Sequence, residues 1–192
     1  MAVLHELRDY LLTRRSVTLP FLGDPGPDGR QLADMLTMAV RVPDHGKLAP
    51  FRLITYAGPA RARIGERLAA LVLEREPDAG PERLDKERSQ FLPAPLTVGV
   101  VSTAAPHPKI PEFEQLLAAG NVAFNLVHAA NALGFGAHWV TRWFAYDAEA
   151  GAMLGLREGE RFVGFVHIGT PTARLEERER PSLDEVVTTW QG

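Results

Sequence analysis

The stretch from 112 to 133 constrains this chain more than any other. It reads as one long helix dominated by Ala, Leu, Val and Phe, with Gly134 as a natural stop. Apolar residues cover much of its circumference. A helix of that kind is buried in the core of its own chain or shared with another subunit. The chain has 192 residues, the size of one domain spanning 1–192 with one sizeable core. Hydrophobic residues make up 45% and charged residues 23%, enough apolar content to close that core.

The other elements follow from periodicity and punctuation. Leu4, Leu7, Tyr10 and Leu11 predict an amphipathic helix over 3–13. Pro, Gly and Asp crowd 19–29, a loop, and Asp28 is placed to cap a helix over about 30–40. FRLITYA (51–57), PLTVGVVS (95–102) and RFVGFVHIGT (161–170) read as strands, and AHWVT (137–141) as a short strand or an extended turn. Helices are expected at 59–75, 81–91 and 147–154. Helices outnumber strands without strict alternation, so the expected class is α+β with a mixed sheet flanked by helices.

Composition excludes several functions. Lys and Arg number 21 against 24 Asp and Glu, a net charge of -3, which argues against broad nucleic-acid binding. Cysteine is absent, which removes disulfides, thiolate metal sites and cysteine nucleophiles and fits the cytoplasm. No run approaches the roughly 18 consecutive apolar residues of a membrane span. The N-terminal stretch carries charges within its apolar pattern and does not read as a signal peptide. The histidines are scattered without metal-ligand spacing, so no metal is expected. There is no GxSxG elbow, phosphate-binding glycine loop or HExxH helix. No acid/base pair stands out, and if the chain is an enzyme a cofactor carries the hard chemistry.

Four segments can carry a ligand, and each has a plainer reading. Arg14, Arg15 and Ser16 offer donors to a phosphate, or simply complement a helix dipole. Arg41-Val-Pro-Asp-His-Gly-Lys47, followed by Pro50-Phe51, is a dense polar loop; it is a ligand loop or a solvated turn. Gly134 and Gly136 let a flat ligand approach, or only stop the helix; they lie after a helix, unlike a dinucleotide fingerprint. Arg178, Arg180 and Pro181 sit in a run of mixed charge that is usually a solvated face.

Taken in order, these segments resemble the nitroreductase family of FMN-dependent oxidoreductases. The resemblance rests on RRSV (14–17), RVPDHGKLAPF (41–51), AGNVAFNLVHAANALGFGAHWVT (119–141), FVGFVHIGTP (162–171) and R-x-R-P (178–181). It implies an intertwined homodimer with FMN at the subunit interface and the long helix on the two-fold axis. It places Arg14, Arg15 and Ser16 on the phosphate and ribityl chain, with Arg180 closing on the phosphate. Arg41 and His45 would reach the flavin from the other subunit. The backbone of Trp139, Val140 and Thr141 would lie along the ring, one N–H bonding the flavin N5. At 140–142 the chain reads VTR, where relatives often carry a basic and a small residue, and Phe51 stands where Trp is frequent.

The implied chemistry is ping-pong hydride transfer from NADH or NADPH, through the flavin N5, to a nitroaromatic, a quinone or another electron-poor small molecule. No catalytic side chain is required. The same fold also carries flavin-dependent dehalogenation, dehydrogenation and flavin fragmentation, and a non-catalytic flavin-binding protein is the further alternative. The segment 76–93 is the expected substrate lid.

Overall fold

The computed structural model describes residues 4–192. Residue 3, the expected start of the first helix, lies outside them. In chain order the elements are α1 (His5–Thr13), β1 (Leu22–Gly23), α2 (Gly29–Ala39), β2 (Phe51–Ala57), α3 (Ala60–Arg75), α4 (Pro81–Arg88), β3 (Leu96–Ser102), α5 (Glu112–Ala132), β4 (Gly136–Val140), α6 (Ala148–Met153), β5 (Arg161–Pro171) and α7 (Leu183–Val186). The chain divides into two compact units. One is Ser16–Ala173, and the other joins the residues up to Arg15 with Arg174–Gly192.

The larger unit is built on a five-stranded sheet in the order β1-β5-β3-β2, with β4 also pairing β5. Every pairing among the described strands is antiparallel. β5 is the longest strand because it serves three neighbours. β3 pairs with it from Arg161 to Ile168, β4 from Phe165 to Gly169, and β1 at Thr170 and Pro171.

Both faces of the sheet are covered, which explains why β3 is buried along its whole length and reads as a continuous apolar run. On one face Leu96, Val98, Val100, Ala137, Val166 and Ile168 pack against α2 and α5. Alanines at 119, 123 and 130 bring α5 close to the strands, and Leu126 fills the space between them. On the other face Tyr56, Phe162 and Phe165 meet Phe91 and Phe144 in a cluster of edge-to-face and tilted rings.

The helix ends follow the expected chemistry. Asp28 and Gln31 form a reciprocal capping box at the start of α2. Gly134, with φ of 85°, closes α5; the Phe135 N–H reaches back to the Ala130 carbonyl at 2.9 Å. A Cβ on Gly134 would meet nothing, whereas one on Gly136 would lie 2.9 Å from Leu22 and Val17. The two glycines therefore stop the helix and admit the 17–22 segment, which is the plainer of their two readings.

In the smaller unit α1 carries no buried residue, and Leu4, Leu7, Leu11 and Leu12 are exposed. α7 is one turn with a Ser182–Glu185 capping box. Among the described residues no helix is long and apolar enough to cross a membrane.

Candidate functional site

The smaller unit draws basic residues together from opposite ends of the chain. α1 ends as the Arg14 N–H bonds the Tyr10 carbonyl, which leaves Arg14 and Arg15 immediately beyond the helix. Arg180 Nη2 donates to the Arg14 carbonyl at 3.2 Å, and Arg15 Nη1 donates to the Glu176 carbonyl. Between them stands the Glu177 carboxylate, 3.3 Å from Arg180 and 3.8 Å from Arg15. Its carboxyl is held below the ordinary range, first by the Arg178 backbone N–H and then by Arg180 and Arg15. The Arg14 guanidinium takes a different course and bonds the Tyr10 hydroxyl, whose pKa is raised because burial outweighs that contact. Arg15 and Arg180 thus form a pair of permanently charged forks around one anionic group. That donor set fits the phosphate of FMN.

The larger unit holds the remaining expected residues, in three places. Ser16 opens it and is half-buried. Arg41 leaves the end of α2, where Asn125 of α5 donates to the carbonyls of Met38 (2.6 Å), Arg41 (3.3 Å) and Ala39 (3.4 Å). One polar side chain in an apolar helix thereby fixes where Arg41 emerges. Nothing in the sequence sets Asn125 apart from Asn121 and Asn131 in the same apolar helix, so its role is visible only in the fold. His45 follows in a loop tightened by left-handed residues: Gly46 at φ 72°, Lys47 at 57° and Ala49 at 46°. Asp44 stabilises the turn by accepting from the Ala49 N–H at 2.7 Å, and Glu114 of α5 holds His45 Nδ1 at 2.7 Å.

Trp139 and Val140 end β4, and Thr141 follows immediately. The Ala137 carbonyl accepts from the Val17 N–H at 3.0 Å, so residue 137 turns its backbone away from β5. Alternation along an antiparallel strand carries the Trp139 and Thr141 amides to that same edge. Among the described residues no strand pairs with it. Backbone donors on an unpaired strand edge fit the hydrogen-bonding rim of a flavin. Trp139 is 37% exposed, with the Nε1 edge of its indole against Gly164.

Beneath β4 runs a row of polar side chains. His138 and His167 are cross-strand partners, and Thr97 faces His167 from β3 with its Oγ1 2.8 Å from Nδ1. Burial, with the charges of His138 and Arg142, pushes the His167 pKa down to about 3. His138 is lowered too, by burial and by Arg142, and its Nδ1 accepts the Leu19 N–H at 3.2 Å. Both shifts favour the neutral imidazole, and His138 Nδ1 serves as an acceptor.

The segment expected as a lid is bolted down instead. Within 76–93, Phe91 and Glu87 are buried, and Glu87 is hydrogen-bonded to Trp143 and Arg83. A buried carboxylate with two partners leaves the core at high cost, which ties this part of the segment to the rest of the fold.

A sequence model of the nitroreductase family matches residues 11–170 of this chain. The Escherichia coli (strain K12) protein named "Putative NAD(P)H nitroreductase YdjA" is 32% identical over 165 residues, 85% of this chain and 87% of that one. The crystal structure of a nitroreductase-like family protein from Bacillus cereus superposes with a TM-score of 0.83 at 23% identity, covering 100% of both chains. That of a variant of NfnB from Sphigopyxis sp. strain HMH, titled an FMN and NADPH-dependent nitroreductase, gives 0.74 at 21% identity, covering 96% and 98%. The chain belongs to the nitroreductase family.

Proposed function

We propose that this chain is an FMN-dependent oxidoreductase that takes electrons from NADH or NADPH and passes them to a nitroaromatic, a quinone or another electron-poor small molecule. The observation that carries this reading is the meeting of Arg15 and Arg180 around one anionic group, in a chain of this family. The names of the relatives support it: one is called an NAD(P)H nitroreductase and another FMN and NADPH-dependent.

Bound FMN would supply hydride acceptance and release at its N5. The chain's own residues do the rest. Arg15 and Arg180 hold the phosphate, and the Arg14 carbonyl sets the position of Arg180. The Ser16 hydroxyl serves the ribityl chain. The Trp139 and Thr141 amides give the ring fixed donors, and Val140 keeps the strand in register between them. Fixed dipoles of this kind favour charge that develops during transfer and cost no reorganisation.

A homodimer completes the site. Phe113, Leu117 and Phe124 lie 68, 51 and 44% exposed on α5, an apolar stripe that a second copy would cover. In that dimer Arg41 and His45 reach the flavin of the other subunit. A cytoplasmic location fits a cysteine-free chain.

The test is the visible spectrum of the purified protein, followed by anaerobic addition of NADH and NADPH. Flavin bands that bleach support the reading and name the donor. Bands that persist point to other flavin chemistry on the same fold. Protein that stays colourless after incubation with FMN sinks the proposal.

A further inference from the structure

The buried carboxylate of Glu87 has no place in the chemistry above, yet it is the one buried residue of α4. Its side chain is 2% exposed. Three donors meet it: Arg83 Nη1 at Oε1, the Trp143 indole N–H at Oε2 (2.8 Å), and the Gln90 amide at 3.5 Å from both oxygens. An apolar residue would anchor α4 at lower cost, because a carboxylate taken out of water must recover its hydration from partners. What the carboxylate adds is direction. It fixes the indole N–H of Trp143 at one point.

Trp143 opens the turn that follows β4, two residues after Thr141. The turn is closed by the Ala145 N–H on the Arg142 carbonyl at 2.8 Å. At the other end of the same stretch, Trp139 sits against Gly164 of β5. The chain is therefore held at both ends, and between them lie Val140, still paired with Phe165 of β5, and the exposed Thr141 and Arg142.

We infer that Glu87 is a positioning residue: through Trp143 it sets where the 139–142 backbone presents its donors to the flavin ring. This rests on the function proposed above. Glu87 touches no ligand itself and acts only through the indole.

The experiment uses the full chain with FMN as the probe. W143F removes the N–H while keeping a ring against Phe144 and Arg75. Its FMN Kd is expected to rise about tenfold, the size of one charge-assisted hydrogen bond. The flavin absorption bands and midpoint potential should move with it. E87A should match W143F, the double variant should be no worse than the weaker single one, and E87Q, which keeps an acceptor, should lie nearer wild type. Should E87A fail to fold, W143F and E87Q carry the test. Wild-type affinity, bands and potential in W143F overturn this inference alone. A wild-type protein that takes up no FMN overturns the functional reading and this inference with it.

Discussion

Gly164 lies so close to Trp139 that a Cβ on it would come within 2.4 Å of the indole Nε1 and within 2.8 Å of the Val140 carbonyl oxygen. The glycine sits at φ 151° beside a bulge, where Val100 pairs with Gly164 but Val101 pairs with Phe162. The irregularity in β5 thus makes the recess into which the end of β4 settles. G164A should destabilise the protein by about 2 kcal/mol or more, from overpacking and a strained φ together. It should also shift the indole emission and weaken FMN binding. Urea unfolding followed by indole fluorescence checks the first two effects and FMN titration the third, and a G164A protein as stable as wild type would show that the recess is not needed.

His167 makes the stability of the fold sensitive to mild acid. Its neutral ring is the folded form, with Thr97 on one side, Phe91 in edge contact, and His138 and Arg142 as the charged or titratable neighbours. In the unfolded chain the same ring binds a proton below about pH 6.5. The folded state takes that proton only near pH 3. Stability from this group is complete above about pH 6.5 and falls by up to about 1.4 kcal/mol per pH unit below it. Glu160, whose pKa Arg52 holds down at about 2, loses its contribution only below the ordinary carboxylate range. Between pH 6.5 and 5 the loss therefore comes from buried histidine, about 2 kcal/mol for His167. Urea midpoints at pH 7, 6 and 5 should fall in the wild type and stay flatter in H167N. Equal slopes would remove His167 as the cause.

Much of this architecture is legible in the chain. The apolar run at 95–102 and the glycine after residue 133 place β3 and the end of α5 within a residue or two. Those features depend on local period and on backbone conformations that only some residues adopt. Partnerships across the chain are different. Glu87 lies in PERLDKER, which reads as a solvated face, and its indole partner comes 56 residues later. Nothing local marks that carboxylate as the residue that points inward. Arg14 and Arg180 stand 166 residues apart, and only the ordered resemblance put them in one site. The anchoring of 76–93 through Glu87 is illegible for the same reason, since polarity along a helix does not tell which polar residue is buried.

Glu177 occupies the space between the two guanidiniums that would take the phosphate. A carboxylate there repels a phosphate dianion and competes for the same donors. E177Q should therefore tighten FMN binding by a few-fold, most clearly at low salt, because the pair is exposed and screened. R15A and R180A should each weaken it by about tenfold or more, in line with a lost charge-assisted contact. Fluorescence titration with FMN at two ionic strengths measures both directions. An E177Q protein that binds FMN more weakly than wild type would mean that Glu177 orders the arginines rather than competing with the phosphate.

The exposed stripe on α5 tests the assembly. Phe113 and Leu117 are one helical turn apart, and Phe124 continues the same face two turns on, in edge contact with His128 at 4.2 Å. A monomer gains nothing from three large apolar side chains in water, whereas a two-fold partner would bury each of them twice. Placing a charge in the middle of such a face sets one carboxylate against its symmetry mate as well as against apolar neighbours. L117E should leave the circular dichroism spectrum intact, because residue 117 is half exposed in the single chain. In sedimentation, wild type should run at twice the chain mass and L117E at the chain mass. FMN affinity should fall together with the dimer, since Arg41 and His45 act across the interface in this reading. R41A should then weaken FMN in the dimer and add little in the L117E background. Retention of full FMN affinity by a monomeric L117E protein would assign the whole site to one chain.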